Sequence, residues 1–385
     1  MLTWDDFNLK DDPFGVAPPK DEIIWADRET FRTELKNAIR RSLLSTPSRI
    51  VACIWGDWGT GKTHAMTYFS RADVLKQLIT EMNLKATLLP ISIQIIFPMG
   101  NILDTIYLEI IEQIGVGRII KALEKLEETD TIRPKEVLVR DVSKYMDVRV
   151  AEAFVTLKGQ KPFIFQRYLS MTATSAELRK LGIARGISTS TDKIRTISGI
   201  LKLLTGTMAS RVFIWFDDLE RIGDSPGKDI FEFQHFIRDL LDNVPKKLVL
   251  FFNMTMLPGE KVEDRLAYLG DAISYRISDK ITVGSLTKEE FFVYVSDLLR
   301  SFRIRPSNGE SDFFPFEKSA LDSIFSELKR NQIPLVPRNV NDTLSSALSR
   351  AVNDVEKRDP TITKLFLEQN YNEIFKGLFQ RARKT

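Results

Sequence analysis

The chain has 385 residues, 43% of them hydrophobic, and 55 Lys and Arg against 52 Asp and Glu leave a net charge of +3. One α/β core with a helical appendage suits that length better than three domains, and a full core can be buried. Its single cysteine, Cys53, excludes an intramolecular disulfide and fits a reducing cytoplasm, while two distant histidines, His64 and His235, leave no Cys/His zinc site. With no charged-then-apolar leader and no apolar run of spanning length, a membrane protein is not expected.

In chain order, Asp12-Pro13-Phe14-Gly15 and Pro18-Pro19 make the first segment an irregular arm, and Asp27-Arg28-Glu29 opens an amphipathic helix through Leu43. A short apolar run predicts a strand over 50–55 and ends at Gly56. It leads into Gly56-Asp57-Trp58-Gly59-Thr60-Gly61-Lys62-Thr63, which fits G-x-x-x-x-G-K-[ST], and then into a helix that begins Thr63-His64. Strand, loop and helix in that order are the context a phosphate-binding loop needs. Its glycines permit a tight turn, so that successive N–H groups and a helix N-terminus face phosphate oxygens. Lys62 would neutralise the β- and γ-phosphates, and the Thr63 hydroxyl would ligate Mg²⁺. Gly56 through His64 are therefore the candidate nucleotide-contacting residues.

A second strand is predicted over 86–93, inside the apolar stretch Leu88–Ile96. Helical patterns follow near Ile102–Ile114, Ile119–Glu128 and Val150–Leu157, too much chain for a single crossover between strands. The basic segment 158–211 holds ten Lys and Arg against two acidic residues, a local net of +8, with Ser188-Thr189-Ser190-Thr191 among them. Such a segment suits contact with a nucleic-acid backbone; the alternative is a solvated face paired with acidic residues elsewhere. The strand predicted over 212–217 delivers Asp217 and Asp218 at its C-terminal end, where α/β ligand sites lie. Asp217 is the candidate on the Mg²⁺ side. Asp218 is the candidate that polarises the attacking water, with Glu220 as an alternative base. Strands are predicted at 248–253 and 273–277, the rest reads as helices, and Lys376–Thr385 is a basic tail.

These residues resemble P-loop ATPases of the additional-strand type, with Gly56–Thr63 as Walker A and Phe213–Asp218 as Walker B. Asp217-Asp218-Leu219-Glu220-Arg221 is similar to the D-D-L-D-R motif of KAP-type and STAND-like signalling ATPases. The remainder looks more like AAA+ proteins of the origin-initiator and transposon target-selector kind. That resemblance implies an α/β parallel-sheet core over 1–283, a helical insertion at about 102–205 and an α-helical lid over 284–385.

It also implies Asn253 as the polar tip of a sensor-1 strand, and Arg338, in Val336-Pro337-Arg338, as a sensor-2 arginine reaching the γ-phosphate. Either could instead be a plain turn or surface residue. Arg265 sits where a finger reaching a neighbouring subunit usually falls, with Arg276 and Arg221 as rivals and a homo-oligomer as the corollary. Phe14, Trp25 and Arg28 would lie near the adenine, or simply pack on the core. ATP and Mg²⁺ are the implied ligands, and nucleic acid or a protein the implied partner. Asp218 stands where AAA+ proteins carry Glu, which implies slow turnover. Only 47 residues follow Arg338, so the initiators' winged-helix reader is not expected.

Overall fold

The computed structural model describes residues 2–15, 23–44, 50–83, 88–127, 134–244, 247–256, 260–305, 311–354 and 356–375. Pro18-Pro19, Glu128 and the basic tail Lys376–Thr385 lie outside them.

Five strands, β1 (Ile50–Gly56), β2 (Ile91–Ile96), β3 (Val212–Asp217), β4 (Leu248–Thr255) and β5 (Ile277–Val283), form one parallel sheet in the order β2-β3-β4-β1-β5. Ile91 lies opposite Val212, and Val212 opposite Leu248. Every residue of β3 is buried, and all of β4 except Thr255. A strand covered on both faces reads as a continuous apolar run, so these central strands fall where the sequence predicts them. Across the register Trp215 stacks on Phe251, with centroids 3.9 Å apart and planes 11° from parallel.

Two expected strands move. The second begins at Ile91, whose amide donates to the Arg211 carbonyl at 2.9 Å; before it the Leu89 carbonyl accepts from the Ser210 amide at 3.3 Å without forming part of the strand, and residues 86 and 87 of the expected strand lie outside the described residues. The last lies at 277–283 instead of 273–277. Asp271–Ser274 is a short helix after Gly270, and β5 is an edge strand of alternating burial with Ser278, Lys280 and Thr282 exposed. Charged and polar residues on an edge strand discourage pairing with another chain, and they also erase the apolar run.

In chain order the helices before β3 are α1 (Glu29–Leu44), α2 (Lys62–Phe69), α3 (Ala72–Glu81), α4 (Ile102–Ile114), α5 (Val116–Lys125), α6 (Lys135–Val142), α7 (Val148–Lys158), α8 (Pro162–Leu169), α9 (Ser175–Lys180) and α10 (Ser190–Thr207). Those from α4 to α10 make up the helical insertion. A 3-10 helix, Leu219–Asp224, and α11 (Gly227–Asn243) follow β3, and α12 (Val262–Ala267) and α13 (Asp271–Ser274) precede β5. The C-terminal helices are α14 (Lys288–Phe302), α15 (Lys318–Arg330), α16 (Pro337–Asn353) and α17 (Lys364–Gln369). Among the described residues no helix is long and apolar enough to cross a membrane.

Packing divides the chain into two compact units. The first comprises Met1–Glu34, Gly56–Tyr68 and Thr282–Thr385. Its core joins Phe7, Leu9 and Phe14 of the arm to Phe291, Leu321 and Leu344 of the C-terminal helices. Phe14 meets Phe316 edge-on at 6.2 Å, so it is a core residue of this unit. The second, Leu35–Trp55 with Phe69–Ile281, holds most of the sheet and the helical insertion around one continuous core.

Candidate nucleotide site

The first unit contains the glycine loop. β1 ends at Gly56, where a Cβ would come within 2.2 Å of the Val283 carbonyl oxygen, so two backbones meet at a distance that only glycine permits. Gly59 (φ +82°) and Gly61 (φ +99°) take left-handed conformations that bend the chain back into α2. Thr60 Oγ1 donates to the Asp57 carbonyl at 2.8 Å and tightens the turn. The buried Lys62 ammonium donates to the Gly56 and Asp57 carbonyls, both at 2.9 Å. A cation enclosed by a loop at a helix N-terminus, with open space where a Gly61 Cβ would lie, fits a phosphate group.

Arg338, near the start of α16, is seated on this loop. Its amide donates to the Gly59 carbonyl at 3.3 Å, and its guanidinium lies 3.8 Å from the centre of the Trp58 ring. Trp58 is 66% exposed, so the stack is open to solvent. A Cβ on Gly59 would come within 2.7 Å of Arg338 Cβ, a second reason for glycine there.

His64, on the first turn of α2, holds its Nε2 2.7 Å from the Ile24 carbonyl oxygen. Burial lowers its pKa, outweighing that contact, so the ring is neutral near pH 7; facing an acceptor, Nε2 carries the proton. Trp25 packs on His64, Tyr68 and Phe31. Buried Arg28 donates to the Gly284 carbonyl at 2.7 Å, and Asp27 beside it is pushed up to about 6, chiefly by burial and further by Glu290 and Asp297.

The second unit contains the carboxylates. Asp217 ends β3, is buried, and accepts a hydrogen bond at 3.0 Å from Asn253 Nδ2 on β4. The register makes this pairing natural, since Phe216 lies opposite Phe252. Asp218 lies beyond the strand in a left-handed conformation (φ +53°) that opens the 3-10 helix. The turn therefore separates the two aspartates. Asp218 pairs with Arg221 at 2.6 Å. Glu220 Oε2 accepts from the Thr255 amide at 2.9 Å, and buried Arg265 pairs with Glu260 at 2.8 Å while donating to the Glu220 carbonyl at 3.1 Å. Arg276 pairs with Asp242 at 2.9 Å.

No protein-family model matches the chain, and no curated protein matches it. Among solved structures, the ORC2 protein of Aeropyrum pernix, described as ADPNP-ADP complexes, superposes with a TM-score of 0.50 at 13% identity, over 95% of this chain and 72% of that one. The ORC1 protein of Aeropyrum pernix in complex with DNA gives 0.46 at 13% identity, over 96% and 69%. The Walker-type ATPase of Pyrococcus abyssi gives 0.42 at 14%, over 97% and 80%. In this chain β4 stands between the glycine-loop strand β1 and the aspartate strand β3 of one five-stranded parallel sheet. This is the P-loop fold of AAA+ ATPases. At such identity the likeness speaks for the fold alone.

Within this AAA+ fold the basic segment is less bare than its composition suggests. Lys158 pairs with Glu127, Arg167 with Glu177, Arg185 with Asp192 at 2.8 Å, Lys193 with Asp104, and Arg195 with Asp147 at 3.7 Å. Arg211 donates to the Ser42 carbonyl at 3.0 Å. Three of those carboxylates, Asp104, Glu127 and Asp147, lie upstream of residue 158, where a count over the segment misses them. The stack of Arg338 on Trp58 was equally hidden, since no local pattern links residues 280 positions apart.

Proposed function

We propose that this chain binds ATP with Mg²⁺ at Gly56–Thr63, hydrolyses it slowly, and acts as a nucleotide-dependent switch. The observation that carries the reading is Lys62, buried in a loop whose glycines are demanded by geometry, with Arg338 seated on the same loop. The loop N–H groups and Lys62 would hold the β- and γ-phosphates. The Thr63 hydroxyl and Asp217 would hold Mg²⁺, which neutralises phosphate charge and otherwise keeps water and phosphate ligands.

Asn253 would keep the Asp217 carboxylate oriented through its hydrogen bond, and Asp218 would accept the proton of the attacking water. Arg338 would exchange its place on Trp58 for the γ-phosphate, carrying the start of α16 with it. A role in trans for Arg265 requires its release from Glu260, for Arg221 its release from Asp218. Turnover by the wild type and by Asp218→Asn tests hydrolysis. The reading expects at least a tenfold fall, and equal rates would remove Asp218 as the base.

The ion pairing of segment 158–211 favours a protein partner, as in signalling ATPases, over a nucleic-acid backbone. A nucleic-acid contact would rest on Lys161, Arg179, Lys180 and Lys202. About four phosphates would then make log affinity for duplex DNA fall against log salt with a slope near −3.6. Assembly is read as an ATP-dependent rise in mass by light scattering.

A further inference from the structure

Arg265 of α12 stands where an arginine reaching a neighbouring subunit is expected, yet its contacts all lie within its own chain. It is 9% exposed, pairs with Glu260 at 2.8 Å, and its Nη1 donates to the Glu220 carbonyl at 3.1 Å. The same nitrogen would stand 3.2 Å from a Cβ on Gly223, so the guanidinium lies close along the 3-10 helix Leu219–Asp224. Reaching outward would break the ion pair and the hydrogen bond together. A planar fork that serves two acceptors at once suits arginine to this place and would not suit lysine.

That 3-10 helix needs holding. It opens at Asp218, whose φ of +53° is unfavourable for a residue with a Cβ, and such a conformation persists only where its surroundings over-determine it. Within the turn the Asp218 carbonyl accepts from the Arg221 amide at 3.1 Å, and Leu219 and Ile222 are buried in the core. Glu220 ties the turn outward at two points: its Oε2 accepts from the Thr255 amide at 2.9 Å, and its carbonyl accepts from Arg265. Thr255 ends β4, the strand whose Asn253 donates to Asp217. The turn that carries Asp218 is therefore tied on one side to the strand that orients Asp217 and on the other to α12. The pairing of Asp218 with Arg221 at 2.6 Å lies inside the turn and fixes it to nothing else.

We infer that Arg265 is a positioning residue acting within its own subunit: anchored on Glu260, it fastens the Leu219–Asp224 helix through the Glu220 carbonyl and so sets the direction of the Asp218 carboxylate. Glu220 is then a strut and not a base, because its carboxylate is engaged by the Thr255 amide. The brace does not depend on what the site binds. Its effect on turnover rests on the role proposed above for Asp218.

Glu260→Gln separates a brace from an arginine acting in trans, because it removes the anchor and leaves the Arg265 charge in place. The brace predicts faster amide hydrogen exchange over residues 218–224, read by mass spectrometry on the full chain without nucleotide. It also predicts at least a tenfold fall in kcat with KM within about threefold, since a displaced catalytic group slows chemistry more than binding. An arginine needed by a neighbouring subunit would be released by the same change, and turnover would hold or rise. Arg265→Ala should show the same split between kcat and KM, and mixing it with Lys62→Ala should restore no turnover. Restored turnover in that mixture overturns the proposal, as does unchanged exchange over 218–224 in Glu260→Gln. Should Arg265→Ala fail to fold, Glu260→Gln decides alone. Raised exchange in Glu260→Gln, with a wild type that binds ATP and does not hydrolyse it, would support the brace and remove the role given to Asp218.

Discussion

The Arg338 guanidinium lies 3.8 Å from the centre of the Trp58 ring, and the Arg338 amide donates to Gly59 at 3.3 Å, so the start of α16 is fastened to the glycine loop. An exposed cation–π contact contributes about 0.5–1 kcal/mol, little enough for a phosphate to displace. Arg338→Ala should therefore lower ATP affinity about tenfold and leave ADP within about twofold, whereas Trp58→Ala should keep the preference for ATP. Titration with fluorescent ATP and ADP analogues checks this. Equal losses for both nucleotides in Arg338→Ala would remove its γ-phosphate role.

The loop glycines differ in what they prevent. Gly56→Ala drives a Cβ against the Val283 backbone, a clash expected to cost about 1–3 kcal/mol. Gly61→Ala meets no atom within 4 Å and carries only the strain of a positive φ, about 1–2 kcal/mol. Denaturant melts should rank Gly56→Ala as the less stable variant; the reverse order would contradict this account of the loop.

Asn253→Ala should remove the hydrogen bond to buried Asp217 and destabilise the protein by about 1–3 kcal/mol. Under the proposed function it should slow turnover more than tenfold with nucleotide affinity within about threefold. A matching fall in affinity would make Asn253 part of binding instead.

Asp27 is pushed up to about 6, mainly by burial and then by the neighbouring carboxylates Glu290 and Asp297. The folded state thus favours the protonated form, and that contribution is present below the ordinary carboxylate value and lost as pH rises through about 6. Asp27→Asn is neutral at every pH. Its Tm should exceed that of the wild type at pH 8 and match it at pH 4. A gain that does not depend on pH would show that the charge of Asp27 is not the cause.

What could be read from the sequence followed from how local each signal is. The loop 56–63 is a contiguous motif, and β1, β3 and β4 are continuous apolar runs because both faces of the sheet are covered. β5 escaped because Ser278, Lys280 and Thr282 alternate with its buried residues, which moved the expected strand four residues too early. Phe14 gave no sign in its local sequence that it belongs to a core built from helices some 300 residues away. The pairing of Lys193 with Asp104, like that of Arg338 with Trp58, depends on the fold bringing distant segments together.

Every role proposed for the site depends on Gly56–Thr63 with Lys62 holding a nucleoside triphosphate. Equilibrium binding of ATP with Mg²⁺ to the wild type and to Lys62→Ala tests it most directly, with circular dichroism to show that both fold. Saturable binding by the wild type and at least a hundredfold loss in the variant are expected. ATP affinity unchanged by Lys62→Ala would contradict that role of the loop.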